Sequence, residues 1–435
     1  MFLPDLVVRS RRTVLATAIR PAAVHIRHGK IIGVMDFDDV PEGCPTDDAA
    51  DAVLMPGAID THVHVNERGR RQWEGFEAAT RAAAAGGVTT IVDMPLHPLP
   101  STTAVALAAK RTAAAGRCFT DAGFWGGVVP GNAAELGALA AAGVLGFACC
   151  LAPCGVEEFP AVGESDLRAA MPLISKLGVP LLVHAELPGP IEQATAAIRA
   201  SRSWFSRLSG TAPDPRKYAT YLATHPKEAE NDAIALAIGL CREYRTRTHI
   251  VHLSSSDALT PLYHARAARL PVTVETCPHY LTFVAEEIPD SATAFRCDPP
   301  IRARENREYL WASLAGGLIQ MVASNHPHVS TLQLSLPATW TEASARGYSL
   351  HQLVEWMCRA PARLAGLGRK GAIEVGFDAD LAVWNPELEF TAEGAYAGRR
   401  LRGVVERTYL RGACIYERGK PMGTAVGKLL ESRSD

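Results

Sequence analysis

Two histidines separated by one residue lie in an apolar, strand-like run near the start of the chain. The run reads PGAIDTHVHV over residues 56–65 and contains His62 and His64. Alternate residues of a β-strand point to the same face, so both imidazoles are expected to point in one direction. Histidine is the commonest metal ligand in proteins. The spacing therefore indicates a metal-ligand pair.

Two further histidines end strand-like runs later in the chain. His184 lies in LLVHAE, and His252 lies in HIVHLSS. A single histidine on a strand is more often a satisfied core residue than a ligand. Four histidines at equivalent strand ends favour a metal centre, since a catalytic zinc ion needs only three protein ligands and a water.

Strand-like and helix-like segments alternate between residues 56 and 369. Apolar runs such as VTTIVDM, VPLLVHAE and PVTVETC are separated by stretches such as EGFEAATRAAAAGG. Repeated strand–helix units predict a parallel sheet. About eight such units over about 300 residues predict a (β/α)8 TIM-like barrel, with its functional residues at the carboxyl ends of the strands. An open doubly wound sheet is the alternative, but the chain has no glycine fingerprint for binding phosphate.

The two ends of the chain differ from this pattern. Residues 1–55 and 370–435 contain short strand-like pieces separated by turns, such as DLVVRS and GAIEVGFDADLAVWN. Pieces of this kind can pair with each other even though they are far apart in the sequence. We therefore expect an α/β protein in which both chain ends form one small β-sandwich and residues 56–369 form the barrel.

The composition is that of an ordinary globular protein. Of 435 residues, 48% are hydrophobic and 21% are charged, and the formal net charge is −2. This balance gives no basic surplus for binding nucleic acid, and no apolar run reaches the roughly 18–20 residues of a membrane span. The N-terminus shows no signal-peptide pattern. Ten dispersed cysteines are typical of reduced thiols, so we expect a cytoplasmic protein without nucleic-acid or membrane partners.

Longer stretches of the sequence carry a family resemblance. PGAIDTHVHVNERGRRQWEGFEAATRAAAAGGVTTIVDMPL closely resembles the start of the barrel in allantoinases. These enzymes belong to the cyclic-amide branch of the amidohydrolase superfamily, with dihydroorotases and dihydropyrimidinases. FWGGVVPGN, GVEEFP, VETCPHYLTF and KGAIEVGFDADLAVWNPE extend the resemblance over most of the chain. The resemblance implies a barrel with a β-sandwich, a homo-oligomer, and hydrolytic opening of a hydantoin-type ring at a two-metal centre.

By this resemblance the histidines bind metal in two pairs. His62 and His64 match the pair that binds one ion, and His184 and His252 match the pair that binds the other. The resemblance also places four substrate-binding residues around the barrel mouth: Asn66 in NERG, Cys277 and His279 in TCPHYL, and Arg302 in PPIR. For Arg302 a structural salt bridge is the alternative.

At two other positions of the family's metal centre, this sequence has a different type of residue. Ala148, in GFACC, stands where the family has a carboxylated lysine that bridges both ions. Asn325, in SNHPH, stands where the family has an aspartate that binds metal and transfers a proton. The loop that follows is shortened to PHVST before Leu332.

These departures change the expected chemistry. Two divalent cations about 3.5–4 Å apart repel each other by on the order of 15–20 kcal/mol at an effective dielectric constant near 20. Neutral imidazoles alone do not offset that repulsion, so we expect one zinc ion or none. The amide of Asn325 cannot accept a proton from water at neutral pH, as a general base must.

Other residues could compensate. Cys150 lies on the same strand face as Ala148, so a thiolate there could bind zinc or act as a nucleophile. The alternative is that Cys150 only fills space in the core. His326 matches the family's histidine beside the missing aspartate. Asn325, Cys150 and His326 are therefore the candidate catalytic residues, and Cys154 and Glu186 are further polar candidates.

Three functional hypotheses follow. The first is an enzyme that opens or closes the ring of a cyclic ureide, imide or lactam with one metal ion or none. The second is an inactive, allantoinase-like protein that keeps the fold in order to bind a partner. The third is a conventional allantoinase of purine degradation, which Ala148 and Asn325 oppose.

Overall fold

The computed structural model describes residues 3–65, 75–96, 99–201, 206, 213–326 and 332–432. Its strands are β1 (Leu6–Val14), β2 (Ile19–Arg27), β3 (Lys30–Met35), β4 (Thr46–Asp48), β5 (Val53–Pro56), β6 (Ala58–Val63), β7 (Val88–Asp93), β8 (Asp121–Phe124), β9 (Gly126–Gly127), β10 (Phe147–Cys150), β11 (Leu181–His184), β12 (Thr248–Ile250), β13 (Val272–Thr276), β14 (Met321–Val322), β15 (Leu381–Thr391), β16 (Arg400–Leu410), β17 (Ala413–Glu417) and β18 (Lys420–Pro421).

The α-helices connect these strands or follow them. They span Phe76–Ala85, Ala104–Ala114, Leu136–Ala141, Glu164–Leu177, Pro188–Ser201, Tyr218–Thr224, Lys227–Tyr244, Leu259–Ala267, Pro278–Thr282, Arg304–Ala315, Ser335–Ala345, Leu350–Val354 and Ala360–Leu364. Among the helices of the described residues, none combines the length and the apolar character needed to cross a bilayer.

The residues group into two compact units. The first unit contains Met1–Pro98, Ala108–Phe124 and Met321–Asp435, and the second contains Leu99–Leu107 and Trp125–Gln320. The domain boundaries expected after residues 55 and 369 remain a prediction.

A large sheet in the first unit joins the two ends of the chain. Its strand order is β18-β17-β16-β15-β5-β1-β2-β3, and β4 pairs with β1. The ends meet where β5 pairs antiparallel with β15, which places Leu54 opposite Val383. Leu54 and Val383 belong to a buried apolar cluster with Val8, Val24 and Tyr409. The expectation that both chain ends form one β-structure is therefore confirmed.

The first unit also contains three parallel strands in the order β6-β7-β8. All residues of β6 and β7 are buried, as expected for a parallel sheet covered on both faces. Gly57 enters β6 so closely that an added Cβ atom would lie 2.2 Å from the side chain of Thr89. Glycine therefore suits this close approach of the Gly57 backbone to the side chain of Thr89.

Five parallel strands form the framework of the second unit, in the order β13-β12-β11-β10-β9. The helix Glu164–Leu177 follows β10 and buries Leu167, Ala170, Met171 and Ile174. That spacing is the apolar stripe of an amphipathic helix. The helix ends at Gly178, whose φ of 72° is the left-handed conformation that glycine adopts readily. Helix and strand therefore follow directly from the alternation seen in the sequence.

A buried cluster of charges connects β8 to the segment that precedes β15. Lys370 Nζ lies 2.8 Å from Asp121 Oδ2 and 3.5 Å from Asp378 Oδ2, and it also contacts Asp380. Arg411 Nη1 donates to Asp121 Oδ1 over 2.6 Å. The neighbouring carboxylates raise the pKa of Lys370, although its burial opposes them. The ammonium group therefore holds together carboxylates that would otherwise repel one another inside the protein.

We predict that Lys370→Met lowers the free energy of unfolding by about 3–5 kcal/mol, because removing one partner leaves buried, uncompensated charges. Urea unfolding followed by circular dichroism measures this change. Lys420→Met is the matched control, since Lys420 is exposed in β18 and its loss should cost no more than about 0.5 kcal/mol. Equal unfolding midpoints for both variants would contradict the prediction.

Candidate active site

The first unit carries the H-x-H pair at the end of β6. His62 is buried within the strand and His64 follows it directly. The centroids of the two rings lie 5.3 Å apart, with an angle of 49° between the ring planes. The two imidazoles therefore lie side by side, as their spacing in the sequence predicts.

Asp60 fixes the backbone around this pair. Its carboxylate accepts a hydrogen bond from His62 N at 3.1 Å and from Ser324 N at 3.2 Å. The N–H of His64 donates to the carbonyl of His326 over 2.9 Å, and Ser324 Oγ accepts from His326 N at 3.1 Å. The segment after β14 is therefore tied to the end of β6, so His326 lies beside the histidine pair.

Asn325 lies within this tied segment. Only 3% of the residue is exposed, and its φ of 52° is left-handed. Asparagine and aspartate adopt that conformation more readily than other non-glycine residues. The backbone at position 325 therefore suits an aspartate as well as the asparagine. The two residues differ there in the chemistry of the side chain, an amide or a carboxylate, and not in backbone conformation.

A buried ion pair supports the end of β7. Asp93 Oδ2 lies 2.6 Å from Lys110 Nζ, and Asp93 Oδ1 accepts from Val65 N at 2.8 Å. Burial raises the pKa of Asp93 to about 6, and Lys110 opposes this rise. The interpretation of the sequence missed both residues. A carboxylate ending an apolar strand, followed by a lysine in an alanine-rich helix, is the signal that could have found them.

The second unit brings together the other two histidines. His184 Nδ1 lies 2.8 Å from His252 Nε2, and the ring centroids are 4.7 Å apart with the planes near perpendicular. His184 Nε2 faces Glu186 Oε2 at 3.4 Å. Burial lowers the pKa of His184, but the hydrogen bond and charge of Glu186 outweigh it, so the pKa is raised. Glu186 is 1% exposed, and its Oε1 has no hydrogen-bond partner among the described residues.

Two cysteines lie next to His184. Cys150 is the direct partner of His184 in the register of β10 and β11, so both side chains lie on one face of the sheet. Interaction with Cys150 lowers the pKa of Cys154 to about 6, and the same interaction raises the pKa of Cys150. Cys154 Sγ also donates to the carbonyl of Phe159 over 3.4 Å. Burial alone raises the pKa of Cys149, on the opposite face, to about 12. Ala148, two residues before Cys150, offers only a methyl group.

A buried carboxylate also supports His252. Glu275 Oε1 accepts from the backbone N of His252 at 3.3 Å, and Glu275 Oε2 lies 3.1 Å from His249 Nε2. His252 has a φ of 42°. Strained backbone of this kind needs fixed surroundings and is common at functional sites. Sequence reasoning missed Glu275 and His249, although a glutamate inside the apolar strand β13 was a visible signal.

The predicted substrate-binding residues of the second unit are deeply buried. Cys277 and His279 have no exposed surface. Arg302 Nη2 lies 3.4 Å from Glu230 Oε2, and Arg302 Nη1 donates to the carbonyl of His225 at 3.1 Å. The salt bridge considered as an alternative for Arg302 is therefore present. Asn66 lies outside the described residues.

Comparison with known proteins identifies the class. Residues 53–414 match the amidohydrolase family, and the chain belongs to that family. It is 46% identical to an allantoinase of Streptomyces avermitilis over 96% of each chain. It is 39% identical to an allantoinase of Arabidopsis thaliana, covering 97% of this chain and 90% of the relative.

A solved structure is also similar to this chain over nearly its full length. L-hydantoinase (dihydropyrimidinase) from Arthrobacter aurescens superposes with a TM-score of 0.89 at 28% identity, covering 99% of this chain and all of that one. The predicted family resemblance and the predicted fold class, an amidohydrolase barrel with a β-structure from both chain ends, are therefore confirmed. The individual site residues stay predictions.

Amidohydrolases generally bind metal, so the candidate ligand side chains can be compared with what one or two metal ions require. A bridged pair of ions does not fit, because Ala148 has no donor atom. One zinc ion fits the donors of the second unit better. Two imidazole nitrogens on one tetrahedral zinc lie about 3.3 Å apart for Zn–N bonds of about 2.0–2.1 Å, and the nitrogens of His184 and His252 are 2.8 Å apart. Among the described residues no group of three His, Cys, Asp or Glu stands in metal-binding geometry, so binding requires rotation of side chains.

The thiol pair predicts a pH-dependent reactivity. After treatment with a chelator, Cys154 should react with iodoacetamide fastest of the ten cysteines at pH 7, because its thiolate forms above a pKa of about 6. Its rate should rise as the pH increases through about 6 and level off above that. Peptide mapping by mass spectrometry follows each thiol.

Cys44 is the matched control for this experiment. It is also partly exposed, but burial and the charge of Asp5 raise its pKa. At pH 7 it should therefore react slowly. Equal rates for both cysteines would contradict the lowered pKa of Cys154.

Proposed function

We propose that this protein hydrolyses the C–N bond of a cyclic ureide, imide or lactam, or closes such a ring in reverse, with one zinc ion in place of two. The observation that carries the proposal is the convergence of His184 and His252 beside Glu186. This arrangement occurs in a chain that is similar to allantoinases over nearly its full length. The substrate is a small cyclic amide.

His184 and His252 are the residues that would hold the ion. Zinc, when bound, polarises a carbonyl group and lowers the pKa of water. The N–H of His184 Nε2 faces Glu186, and a carboxylate in that place orients a ligating imidazole and makes it a better donor. His62 and His64 stay the predicted second pair of metal ligands.

We assign the remaining roles as part of the same proposal. Asn325 can hydrogen bond to an amide of the substrate but cannot act as a base. His326 is the candidate for proton transfer, because imidazole titrates near neutral pH. Cys150 completes the candidate catalytic residues. The proposed substrate-binding residues are Asn66, Cys277, His279 and Arg302.

Asn325 also favours a second candidate function. If no other group supplies the base, the protein is an inactive relative of allantoinases that keeps its fold in order to bind a partner. The third hypothesis, conventional allantoin hydrolysis in purine degradation, is the one that Ala148 and Asn325 oppose most directly.

The proposed setting is the cytoplasm, with the chain as a homo-oligomer and with no nucleic-acid or membrane partner. The support is chemical: none of the ten cysteines forms a disulfide bond, and reduced thiols are typical of the cytosol. The formal net charge of −2 gives no electrostatic reason to bind nucleic acid.

The direct test is an assay of zinc-loaded protein with hydantoin, dihydrouracil and allantoin, and with their ring-opened products. We predict that His184→Asn lowers the rate with the best substrate by at least about 100-fold, because loss of a direct ligand should cost at least as much as the roughly 10–100-fold loss seen for residues that only support a ligand. His28→Asn is the control, since the side chain of His28 is 80% exposed beside β2. No turnover in either direction by the unaltered protein would favour the inactive alternative.

Asn325 gives an independent prediction. Asn325→Asp should raise the rate of allantoin hydrolysis by about 10²–10⁴-fold, because it introduces a general base at a position whose φ suits aspartate. Asn325→Ser, which introduces no base, should give no gain. Steady-state rates of both variants measure the effect. Equal rates for Asp and Ser would show that the missing base does not limit hydrolysis.

A further inference from the structure

A cavity in the first unit lies between a helix and the loop that follows it. Its volume is about 350 Å³, within the roughly 300–1,000 Å³ that is usual for small-molecule sites. Arg359 and Arg363 line its helical wall, and the loop over residues 366–377 forms the other wall with Leu367 and Phe377. The cavity is separate from the proposed site, since none of the described residues that line it is a candidate active-site residue.

Backbone geometry holds the two walls together. The helical wall contains a π-helical turn, Glu355–Arg359, and turns of this rare type are frequent at functional sites. Gly371 brings the loop close to this turn, with a φ of 81° that glycine adopts readily. An added Cβ atom on Gly371 would lie 2.6 Å from the carbonyl oxygen of Cys358. The loop is therefore packed directly beside Arg359.

Two of the cations that line the cavity already have anionic partners. Lys370 lies among the buried carboxylates of Asp121 and Asp380. Arg363 contacts Glu355 on the same helical segment. Neither side chain therefore requires a further anion.

Arg359 differs from these two cations. Its Nη2 atom is buried and has no hydrogen-bond partner among the described residues. A buried donor in this state has lost its hydrogen bonds to water without replacing them, which is unfavourable. The flat guanidinium group presents its donors in a fork that matches the oxygens of a carboxylate or a phosphate. An anion in the cavity would therefore supply the missing acceptor.

The other lining residues indicate the rest of the ligand. Leu367, Ala372 and Phe377 offer apolar surface, and an aromatic ring can pack against Phe377. Glu374 also lines the cavity, but it is exposed, and water weakens the field of an exposed carboxylate. These side chains suit an anionic group that is joined to a small apolar body.

We propose that this cavity binds a small organic anion. The carboxylate or phosphate group of the ligand accepts hydrogen bonds from Arg359, and the apolar body packs against Leu367 and Phe377. The inference goes beyond the proposed hydrolysis, because it depends neither on turnover nor on a bound metal ion.

Calorimetric titration with matched small molecules tests the proposal. Benzoate and phenyl phosphate carry the two anionic groups on one apolar ring, and benzamide keeps the ring without the charge. At least one of the two anions should bind with a Kd of about 1 mM or lower. Benzamide should bind at least about 10-fold more weakly, because hydrogen bonds between charged groups are the stronger ones. The tighter anion identifies the anionic group that the cavity prefers.

Arg359→Met should weaken the binding of the tighter anion by at least about 10-fold, because it removes the donors and keeps an unbranched apolar side chain. It should not lower the thermal stability of the ligand-free protein, since Nη2 has no partner to lose among the described residues. Arg369→Met is the matched control, because Arg369 is exposed in the same loop and is not among the described residues that line the cavity. This control should keep the affinity.

Gly368 provides a second variant that keeps Arg359 in place. Gly368 lines the cavity, and an added Cβ atom there would meet no atom within 4 Å. Gly368→Glu should weaken the binding of the anion by about 5-fold at low ionic strength, through charge repulsion. Gly368→Gln adds a side chain of the same size without the charge and should keep the affinity.

His184→Asn shows whether the anion binds in the proposed active site instead, and it should keep the affinity. The proposal is overturned if neither anion binds, if benzamide binds as tightly, if Arg359→Met keeps the affinity, if the two Gly368 variants bind equally, or if His184→Asn loses the affinity. Anion binding that depends on Arg359 in a protein that turns over no cyclic amide would support this site and contradict the proposed enzyme. Turnover without anion binding would support the enzyme and contradict this site.

Discussion

The register of the parallel strands is the constraint on which both groups of candidate ligands depend. In the second unit it places Cys150 opposite His184, and in the first it continues from β6 into the bridge between Val63 and His326. Side chains alternate faces along a strand, so a slip of one residue would turn every candidate ligand to the other face. Buried parallel strands exclude such a slip, because both of their faces are packed.

Buried carboxylates then fix the segments just beyond the strands, which the hydrogen bonds between strands do not hold. Asp60, Asp93, Glu230 and Glu275 each accept a backbone N–H from the segment after a strand. Their charges are balanced by these hydrogen bonds and, for two of them, by Lys110 or Arg302. Loops held in this way keep the left-handed backbone of His252 and Asn325 in place. These supporting groups are thus present around the positions predicted to bind metal and substrate.

The sequence predicts the periodic features well and the long-range polar contacts poorly. Alternating strands and helices, the strand-like chain ends and the H-x-H spacing are local patterns, and the structure contains the elements they predict. The cluster around Lys370 joins Asp121, 249 residues away, and no local pattern encodes that contact. The contact of Cys154 with the carbonyl of Phe159 depends on the shape of one loop. The roles of Asp93, Lys110 and Glu275 were visible only as charges in apolar surroundings, which require partners but do not identify them.

Charge balance connects these observations. By the sequence resemblance, Ala148 and Asn325 stand where the family has two anionic ligands, so the proposed site carries two negative charges fewer. In the second unit the buried carboxylate of Glu186 faces His184, and against the effect of burial it raises the pKa of that imidazole. A single divalent ion on neutral imidazoles needs less anionic compensation than a bridged pair, because two neighbouring cations repel each other. The proposed loss of one ion is therefore consistent with the charge that Glu186 still supplies.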